Sequence, residues 1–330
     1  MTSGFSNIMS RHSNIAVFTS GGDAPGMNAA LRAVTRTAAN YGMDVYGIYR
    51  GYEGLIENDF YSLSPRSVNH ILQKGGTFLK SARSEEFKNV EIRKQAIENL
   101  KSRGITALIG IGGDGTFAGL KCISEESDIS CIGIPGTIDN DIKGTQFTIG
   151  FDTACNTVME AVDKIRDTAL SHNRVFFIEV MGRDSGMIAE QAALASGALM
   201  ALIPGTRVSV EDIKNKLERT AKKKKTSSII IVSEGFETKT MDLVNEFSSA
   251  YPEYETKLTI LGHIQRGGSP SRYDRNLASR MGYYAIEYLL EGKSGGMIST
   301  HNNEIGFVSF DDPKSINEDD LLKIIDTLST

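Results

Sequence analysis

The sequence predicts an α/β protein with mostly parallel sheets. Short apolar runs alternate with helix-length amphipathic segments along the 330 residues, and glycine-rich or polar turns follow the apolar runs. The continuous apolar run Ile105–Ile111 (ITALIGI) suits a parallel strand that is covered on both faces. A chain of this length exceeds the size at which one hydrophobic core usually stops growing, so we expect two domains.

The first half of the chain sets this pattern. Asn14–Thr19 (NIAVFT) predicts a strand, the glycine-rich SGGDAPG a turn, and residues 27–40 a helix. Asp44–Tyr49 (DVYGIY) predicts the next strand. The segment Val90–Arg103 has apolar residues at helical spacing and ends before Gly104, so it predicts a helix that leads into ITALIGI.

The second half repeats the pattern. DISCIGI predicts a strand that PGTIDND follows, and Asp152–Arg166 predicts a helix. Val175–Val180, Ile229–Ser233 and Leu258–Ile264 (LTILGHI) predict further strands, and a helix is expected to run to about Leu290. The tail DDPKSINEDDLLKIIDTLST predicts a final helix with an acidic start.

Composition and charge exclude several classes of protein. The chain is 40% hydrophobic and 23% charged, as in ordinary soluble domains, and its net charge of −5 argues against a general nucleic-acid binder. Three cysteines without CxxC spacing imply neither a disulfide framework nor a zinc site. The N-terminal MTSGFSNIMSRHS lacks a secretory h-region and no apolar run approaches 18 residues, so we expect no membrane contact and a cytoplasmic location.

Glycines and polar side chains are concentrated directly after the predicted strands, where α/β sheets bind ligands. Gly21-Gly22-Asp23 suits phosphate binding, although Asp23 could simply cap the next helix. Residues 112–116 (GGDGT) suit a nucleotide triphosphate with Mg²⁺, but they are not a Walker A loop. The alternative is that Asp114 is a plain N-cap.

The turn PGTIDND carries two carboxylates, Asp139 and Asp141. They could form the turn, bind a metal, or divide the work of phosphoryl transfer, in which one carboxylate accepts the hydroxyl proton of the acceptor. Three arginines in or beside such turns, Arg174, Arg183 and Arg266, favour a phosphorylated substrate.

Two further features leave alternatives open. Glu234 could bond sugar hydroxyls or cap the next segment, and Lys222–Lys225 could be a solvated helix end or part of an anion site. The residues alone therefore predict a kinase that acts on a small phosphorylated compound.

Six strings in this order identify the family: TSGGDAPGMNAA, GGTFLKSAR, IGGDGT, PGTIDNDIKGT, EVMGR and LGHIQRGGSP. They resemble bacterial 6-phosphofructokinases over about residues 14–300. The resemblance implies transfer of phosphate from ATP to fructose 6-phosphate, which gives ADP and fructose 1,6-bisphosphate, in glycolysis. It also implies two αβα sandwich domains: residues 1–149 plus 264–314 for ATP and Mg²⁺, and residues 150–263 plus 315–330 for the sugar phosphate.

The resemblance implies roles for individual residues. Asp139 would be the base, Thr137 would contact the transferred phosphoryl group, and Arg183 would stabilise its charge. Asp114 would contact Mg²⁺, with Asp141 helping through water. The implied ATP site comprises Gly22, Arg83, Ser84, Lys88, Gly113, Asp114, Gly115 and Thr116. The implied sugar-phosphate site comprises Thr137, Ile138, Asp139, Arg174, Met181, Gly182, Arg183, Glu234, Lys257, His263, Ile264, Gln265 and Arg266. In the family, the residues at Arg174 and Lys257 reach across from a neighbouring subunit, which implies a homotetramer.

Two positions bear on the phosphate donor, and several others depart from the family pattern. Gly115 and Gly136 stand where pyrophosphate-dependent relatives tend to carry an acidic residue and a lysine, which favours ATP. Lys257 and Lys88 stand where arginines are usual. The family's ADP and phosphoenolpyruvate site is matched by Arg32, Arg36, Arg166, Lys223 and Lys225. Pro65, His70 and Leu199 replace an arginine, an aspartate and a glutamate of that site, so we expect weakened or changed allosteric control.

Two rival functions are less consistent with the sequence. GGDGT also occurs in lipid and NAD kinases, but those enzymes would not need the arginine-bearing turns MGR and HIQRGG. A non-catalytic subunit of the same fold would be expected to lack catalytic residues, whereas Asp139, Thr137, Asp114 and Arg183 all stand in place.

Overall fold

The computed structural model describes residues 12–169, 174–222, 228–313 and 321–329. These residues form two compact units. The first consists of the described parts of 1–137, 142–150 and 266–316, and the second of those of 138–141, 151–265 and 317–330. The chain therefore changes unit at several points, two of which flank Asp139 and Asp141.

Each unit has its own sheet. The first unit contains β1 (Asn14–Thr19), β2 (Asp44–Ile48), β3 (Phe60–Leu63), β4 (Ile105–Gly112), β5 (Ser130–Thr137), β6 (Ile149–Gly150), β11 (Gly296–His301) and β12 (Glu304–Ser309). Its strand order is β12-β11-β5-β4-β1-β2-β3, and β6 pairs with β5. The second unit contains β7 (Arg174–Val180), β8 (Met200–Leu202), β9 (Ile229–Ser233) and β10 (Glu255–Ile260) in the order β10-β7-β9-β8.

The strand pairing is parallel except at the two outer ladders of the first sheet, β2–β3 and β11–β12. Helices of the first unit are α1 (Met27–Asn40), α2 (Gly51–Ile56), α3 (Val90–Ser102), α4 (Asp114–Glu126) and α9 (Arg272–Leu290). Those of the second unit are α5 (Phe151–Ala169), α6 (Met187–Ser196), α7 (Val210–Lys222), α8 (Thr240–Ala250) and α10 (Leu321–Ser329). The predicted α/β class with mostly parallel sheets is confirmed.

Apolar side chains of strands and helices form a separate core in each unit. Phe18 of β1 and Leu108 of β4 are fully buried in the first core, as their continuous apolar strands predict. Phe177 of β7 and Phe247 of α8 are fully buried in the second core, with ring centroids 5.7 Å apart. These cores fix the strand ends from which the polar turns project.

The structure differs from the prediction at LTILGHI. The strand runs over Glu255–Ile260, and Gly262–Arg266 forms a 3₁₀ helix. Gly262 has a left-handed φ of 54°, and an extended strand cannot continue through this conformation. The apolar pattern does not reveal this, so the predicted strand extended beyond the true end. Across the residues that the structure describes, no helix has both the length and the apolar character needed to cross a membrane.

Candidate active site

The loop after β1 lies against Arg266. A Cβ built on Gly22 would lie 1.9 Å from Nη1 of Arg266, so the guanidinium group occupies the space that a side chain at position 22 would fill. The Ser20 backbone N–H donates to the Ile111 carbonyl at 3.0 Å, which ties this loop to the end of β4. The structure thus brings together two residues that the sequence assigned to different ligands, Gly22 to ATP and Arg266 to the sugar phosphate.

Two polar atoms of this region are buried and have no hydrogen-bond partner among the described residues: Oγ1 of Thr116 and Nε of Arg266. A buried polar atom without a partner carries a free-energy cost that a bound ligand can offset. Thr116 lies close to the Gly112 backbone, where a built Cβ would meet its Oγ1 at 2.3 Å. Hydroxyl and guanidinium groups beside glycine-rich backbone suit an anionic ligand such as phosphate.

Asp114 lies in the first turn of α4, and Gly113 is the N-cap. The alternative that Asp114 is the N-cap is therefore wrong, because Asp114 is already the first residue of the helix. Asp114 is exposed, and a Cβ built on the next residue, Gly115, would have no atom within 4 Å, so there is open space at the start of this helix.

A magnesium ion fits this arrangement. Within the described ranges there is no group of three or more His, Cys, Asp or Glu side chains that could enclose a metal ion. Mg²⁺ is usually held by one or two carboxylates and completes its shell with phosphate oxygens and water. An exposed carboxylate beside a glycine-rich turn has the donor type and the access that such an ion needs.

The segment that contains the predicted Arg83 and Ser84 is fixed to the first unit by its preceding loop. Asn28 of α1 donates to the carbonyls of Lys74 and Gly75 at 3.0 and 3.2 Å. Thr19 Oγ1 donates to the Lys80 carbonyl at 2.6 Å. Arg83 is exposed and Ser84 half-buried.

Lys88, another predicted ATP residue, makes a surface ion pair. Its Nζ donates to Glu85 at 2.6 Å, and this hydrogen bond lowers the pKa of the Glu85 carboxyl. A nucleotide phosphate would have to compete with Glu85 for this lysine.

The end of β5 is held by β6. Gly136 and Thr137 pair with Ile149 and Gly150, and Thr148 Oγ1 donates to the Thr137 carbonyl at 2.6 Å. A Cβ built on Gly136 would lie 3.0 Å from Cε of Met27, so this glycine faces packed side chains rather than the open space found at Gly115. A larger residue at position 136 would require Met27 to move.

Asp139 is buried, with 2% of its surface exposed, whereas Asp141 is exposed. Oδ2 of Asp139 lies 3.7 Å from Nε of Arg183, whose side chain is half-exposed. Asn140, between the two aspartates, has a left-handed φ of 50° and its Nδ2 contacts Met187 Sδ at 3.5 Å. The turn thus separates one enclosed carboxylate, next to a cation, from one open to solvent, and Ile138 is buried beside them.

The turn that carries Arg183 is positioned by its backbone. Oε1 of Glu234 accepts hydrogen bonds from the N–H groups of Gly182 and Arg183 at 3.3 and 3.0 Å. A Cβ built on Gly235 would lie 1.8 Å from the Arg183 carbonyl oxygen, so the two turns approach as closely as backbone allows. Arg183 itself has a left-handed φ of 49°. Glu234 therefore has a structural task in addition to the sugar contact predicted for it.

The 3₁₀ helix Gly262–Arg266 contains several of the predicted substrate residues. Gln265 is fully buried; its Oε1 accepts from the Met181 N–H at 3.2 Å and its Nε2 donates to the Gly262 carbonyl at 3.0 Å. His263 and Ile264 are exposed. In this structure Gln265 joins the end of β7 to the helix, and His263 and Ile264 remain accessible.

Arg174 and Lys257, predicted to bind the sugar phosphate, lie on neighbouring strands and share one carboxylate. Arg174 Nε lies 2.8 Å from Oε2 of Glu255, and Lys257 Nζ lies 2.8 Å from its Oε1. Hydrogen bonds from Arg174 and Lys257 lower the pKa of Glu255 from 4.5 to about 2. We call this group the Glu255 triad.

The predicted effector residues are distributed over both units. Burial, and then the charge of Arg36, lower the pKa of Arg32. Arg36 donates to Asn69 Oδ1 at 2.7 Å. Arg166 donates to the Ser196 carbonyl, and Leu199 is fully buried in the second core. Lys223 and Lys225 lie outside the described residues.

Sequence reasoning missed Asp274. It is fully buried in α9, and its Oδ1 accepts a hydrogen bond from the Gly150 N–H at 2.9 Å. The spacing Ser271-x-x-Asp274 is a capping signal, and Ser271 Oγ does accept from the Asp274 N–H at 3.1 Å. That signal could have located the helix start, but not the bond to a residue more than a hundred positions away.

A family model described as phosphofructokinase matches residues 14–289 of the chain. The chain belongs to the phosphofructokinase family.

Curated relatives extend this match. The chain is 52% identical over 299 residues to an ATP-dependent 6-phosphofructokinase of Staphylococcus epidermidis, which covers 90% of this chain and 92% of the relative. It is 48% identical to the ATP-dependent 6-phosphofructokinase 2 of Bacteroides thetaiotaomicron, over 96% of this chain and 98% of the relative.

A solved structure gives the same family. The crystal structure of Pichia pastoris phosphofructokinase in the T-state matches 92% of this chain with a TM-score of 0.86 and 32% identity. This chain spans 37% of the yeast chain's length. The predicted family is confirmed, and the strings that led to it lie in or beside the turns described above.

Proposed function

We propose that this phosphofructokinase transfers the γ-phosphoryl group of ATP to the 1-hydroxyl of fructose 6-phosphate in glycolysis. The observation that carries the proposal is the buried carboxylate of Asp139 beside Arg183, at the end of β5, in a chain about half identical to ATP-dependent 6-phosphofructokinases. Phosphoryl transfer needs a base for the acceptor hydroxyl and positive charge at the transferred group.

Asp139 is the proposed base. Its carboxylate accepts the proton of the sugar 1-hydroxyl while the hydroxyl oxygen forms a bond to the γ-phosphorus and the bond from that phosphorus to the β–γ bridging oxygen breaks. ADP leaves with the electron pair of the broken bond. Burial shields Asp139 from bulk water, and the neighbouring guanidinium of Arg183 stabilises negative charge on the transferred group.

The residues proposed to bind the nucleotide lie in the first unit. Gly22 lies in the glycine-rich turn after β1 and Thr116 in the first turn of α4, after β4, and the backbone of such segments suits phosphate oxygens. Asp114 would hold Mg²⁺, with Asp141 as an outer partner. When bound, Mg²⁺ neutralises phosphate charge. Thr137, at the end of β5, would contact the transferred group.

ATP is the proposed donor rather than pyrophosphate. Gly115 opens to free space, which leaves room for a larger donor beside α4. Gly136 packs against Met27, so a lysine at this position would require the end of the Met27 side chain to move. The names of the relatives from Staphylococcus and Bacteroides agree with this choice of donor.

The proposal extends to assembly and location. Arg174 and Lys257 lie on the exposed side of β7 and β10, where a second subunit could use them. We propose a homotetramer with shared sites, located in the cytoplasm and independent of nucleic acid and membranes.

The donor is tested in a coupled assay that follows ATP-dependent and pyrophosphate-dependent production of fructose 1,6-bisphosphate separately. We expect turnover with ATP and Mg²⁺ and little with pyrophosphate. Turnover with pyrophosphate that equals or exceeds that with ATP would refute the proposed donor.

The two carboxylates of the turn are tested by Asp139→Asn with Asp141→Asn as its matched comparison. Loss of the base should lower kcat by about 10²–10⁴-fold while fructose 6-phosphate binding, measured by calorimetry, is retained. Asp141→Asn should mainly raise the Mg²⁺ concentration needed for half-maximal rate. Near-normal turnover of Asp139→Asn would overturn the assignment of the base.

A further inference from the structure

A buried carboxylate outside the proposed site is connected to the strand that carries the catalytic turn. Asp274 has no exposed surface, so it cannot contact a substrate. Its Oδ1 accepts from the Gly150 N–H at 2.9 Å. Gly150 is the last residue of β6 and also the last before the chain passes into the second unit.

The strand β6 is only two residues long and holds the end of β5. It pairs with Gly136 and Thr137, directly before Asp139 in the chain. Two side-chain hydrogen bonds add to this ladder: Thr148 Oγ1 donates to the Thr137 carbonyl at 2.6 Å, and the Gly150 N–H donates to Asp274. Because the ladder of a two-residue strand is short, such bonds contribute directly to the position of β6.

The same strand packs against the loop after β1. Gly150 has a left-handed φ of 105°, and a Cβ built there would lie 2.7 Å from Cβ of Ala24. A Cβ built on Gly26 would lie 2.6 Å from Cγ2 of Ile149 and 3.5 Å from Cβ of Asp274. The backbone of each glycine thus packs directly against a neighbouring side chain, with no room for a Cβ, and a shift of β6 would be transmitted to the glycine-rich loop and to the end of β5.

We infer that Asp274 is a positioning residue for phosphoryl transfer: it fixes β6, and through β6 it sets the position of Thr137 and the start of the turn that carries Asp139. This inference rests on the proposed function. Catalytic groups must be held within fractions of an ångström by surrounding hydrogen bonds, and a misplacement of 1 Å can cost about 10²-fold in rate.

The location of Asp274 in α9 suits this task. It occupies the first turn of a 19-residue helix, where a carboxylate is stabilised by the helix dipole, and Ser271 caps the same turn. The acceptor is therefore attached to a rigid element, and its charge strengthens the bond to the Gly150 N–H.

The test compares Asp274→Ala, Asp274→Asn and Ser271→Ala. Asp274→Ala removes the acceptor for Gly150 and should lower kcat by about 10–100-fold with a KM for fructose 6-phosphate within about 3-fold of the wild-type value. Asp274→Asn keeps an acceptor oxygen of the same shape and should restore kcat to within about 10-fold of wild type. Ser271→Ala weakens the same helix start but leaves the Gly150 bond, so its kcat should change less than about 2-fold.

Hydrogen–deuterium exchange of the peptide that covers residues 145–151 gives a readout independent of turnover. We expect faster exchange in Asp274→Ala and wild-type exchange in Ser271→Ala. Equal losses of kcat in Asp274→Ala and Ser271→Ala, or wild-type kcat in Asp274→Ala, would overturn the inference. If wild-type protein lacks kinase activity, the proposed function fails; unchanged exchange in Asp274→Ala would instead show that Asp274 does not hold β6.

Discussion

Two regions of the second unit present cations in different ways. In the turn that carries Arg183, the backbone fixes the position: Glu234 binds two N–H groups of the turn and Gly235 lies against the Arg183 carbonyl. In the Glu255 triad, side chains on the strand surface hold each other, and all three are at least one-third exposed. In the first arrangement backbone contacts hold the turn in place, whereas in the second a ligand must displace a carboxylate from the cations.

This difference indicates which part of binding each region can contribute. A cation on a turn that backbone contacts already hold needs little rearrangement when negative charge develops on the transferred group. This favours stabilisation of the transition state. Exposed ion pairs contribute little to stability and exchange partners readily, which suits recognition of a substrate that enters and leaves.

Gly235→Ala should displace the turn that carries Arg183. Of the changes to these two regions, it should have the largest effect on kcat. The new Cβ would collide with the Arg183 carbonyl oxygen, and overpacking of this kind costs about 1–3 kcal/mol or more. We expect kcat to fall by roughly 10²-fold because Arg183 would move. Rates should be normalised to the fraction of folded protein, measured by circular dichroism.

Gly115→Ala tests the open space at the proposed ATP site. Its Cβ would have no neighbour within 4 Å and would lie in the first turn of α4. Alanine should stabilise the helix by about 0.4–1 kcal/mol, which thermal denaturation can detect. A melting temperature below that of the wild type would contradict the open space at this position.

Lys257→Arg, in the Glu255 triad, should have a smaller effect on the kinetics. Arginine offers a planar fork that can bond phosphate bidentately, so we expect the KM for fructose 6-phosphate to fall by roughly 2–5-fold with kcat unchanged. The measurement is an initial-rate series at saturating ATP. Unchanged dependence on fructose 6-phosphate would argue against a phosphate contact at this position.

The ion pairs of the Glu255 triad should depend on pH. Because the pKa of Glu255 is lowered to about 2, its ion pairs are intact above the ordinary glutamate value and are lost as pH falls from about 4.5 toward 2. Their contribution to stability should therefore decrease on acidification within that window. Carbon-detected NMR titration of the Glu255 carboxyl, with Glu255→Gln to assign the signal, checks the direction; titration near 4.5 would contradict the triad.

Regulation by ADP is expected to show the smallest effect. Arg36 of the predicted effector cluster already donates to Asn69, and Leu199 is buried in the core. We expect ADP to change the rate at subsaturating fructose 6-phosphate by less than about 2-fold, and phosphoenolpyruvate to act weakly. Strong activation by ADP in that titration would show that the cluster still binds its effector.

Most of the fold was predictable because parallel buried strands have a strong signal. The bounds of β1 and α1 agree with the prediction, and β4 differs by one residue at its end. Five strands were not predicted: β3, β6, β8, β11 and β12. Two of them, β6 and β8, have only two or three residues, which cannot display a period. The six-residue strands β11 and β12 form the antiparallel ladder at one edge of the first sheet and were missed despite their length. LTILGHI was extended too far because apolar content alone does not mark a left-handed glycine.

The site residues were predicted from strings of sequence, but the contacts that those residues make could not be predicted in this way. Nothing local predicts that Arg266 lies against Gly22, that Glu234 holds the turn of Arg183, or that Asp274 reaches Gly150. These contacts join segments far apart in the chain, and their partners depend on sheet order. The sequence therefore indicated which residue types lie near strand ends, while tertiary packing determined how each is held.

The division of each unit into separate stretches of chain has a consequence for biosynthesis. The strand β5 borders β11, and Cys131 N–H bonds Ser294 across 163 positions. The first unit cannot complete its sheet until the ribosome has passed residue 309, whereas the second unit has its four described strands by residue 260. During translation the second unit, which begins later in the chain, can therefore complete its sheet first. A truncated polypeptide that ends before β11 would leave one edge of β5 open to pairing with other chains.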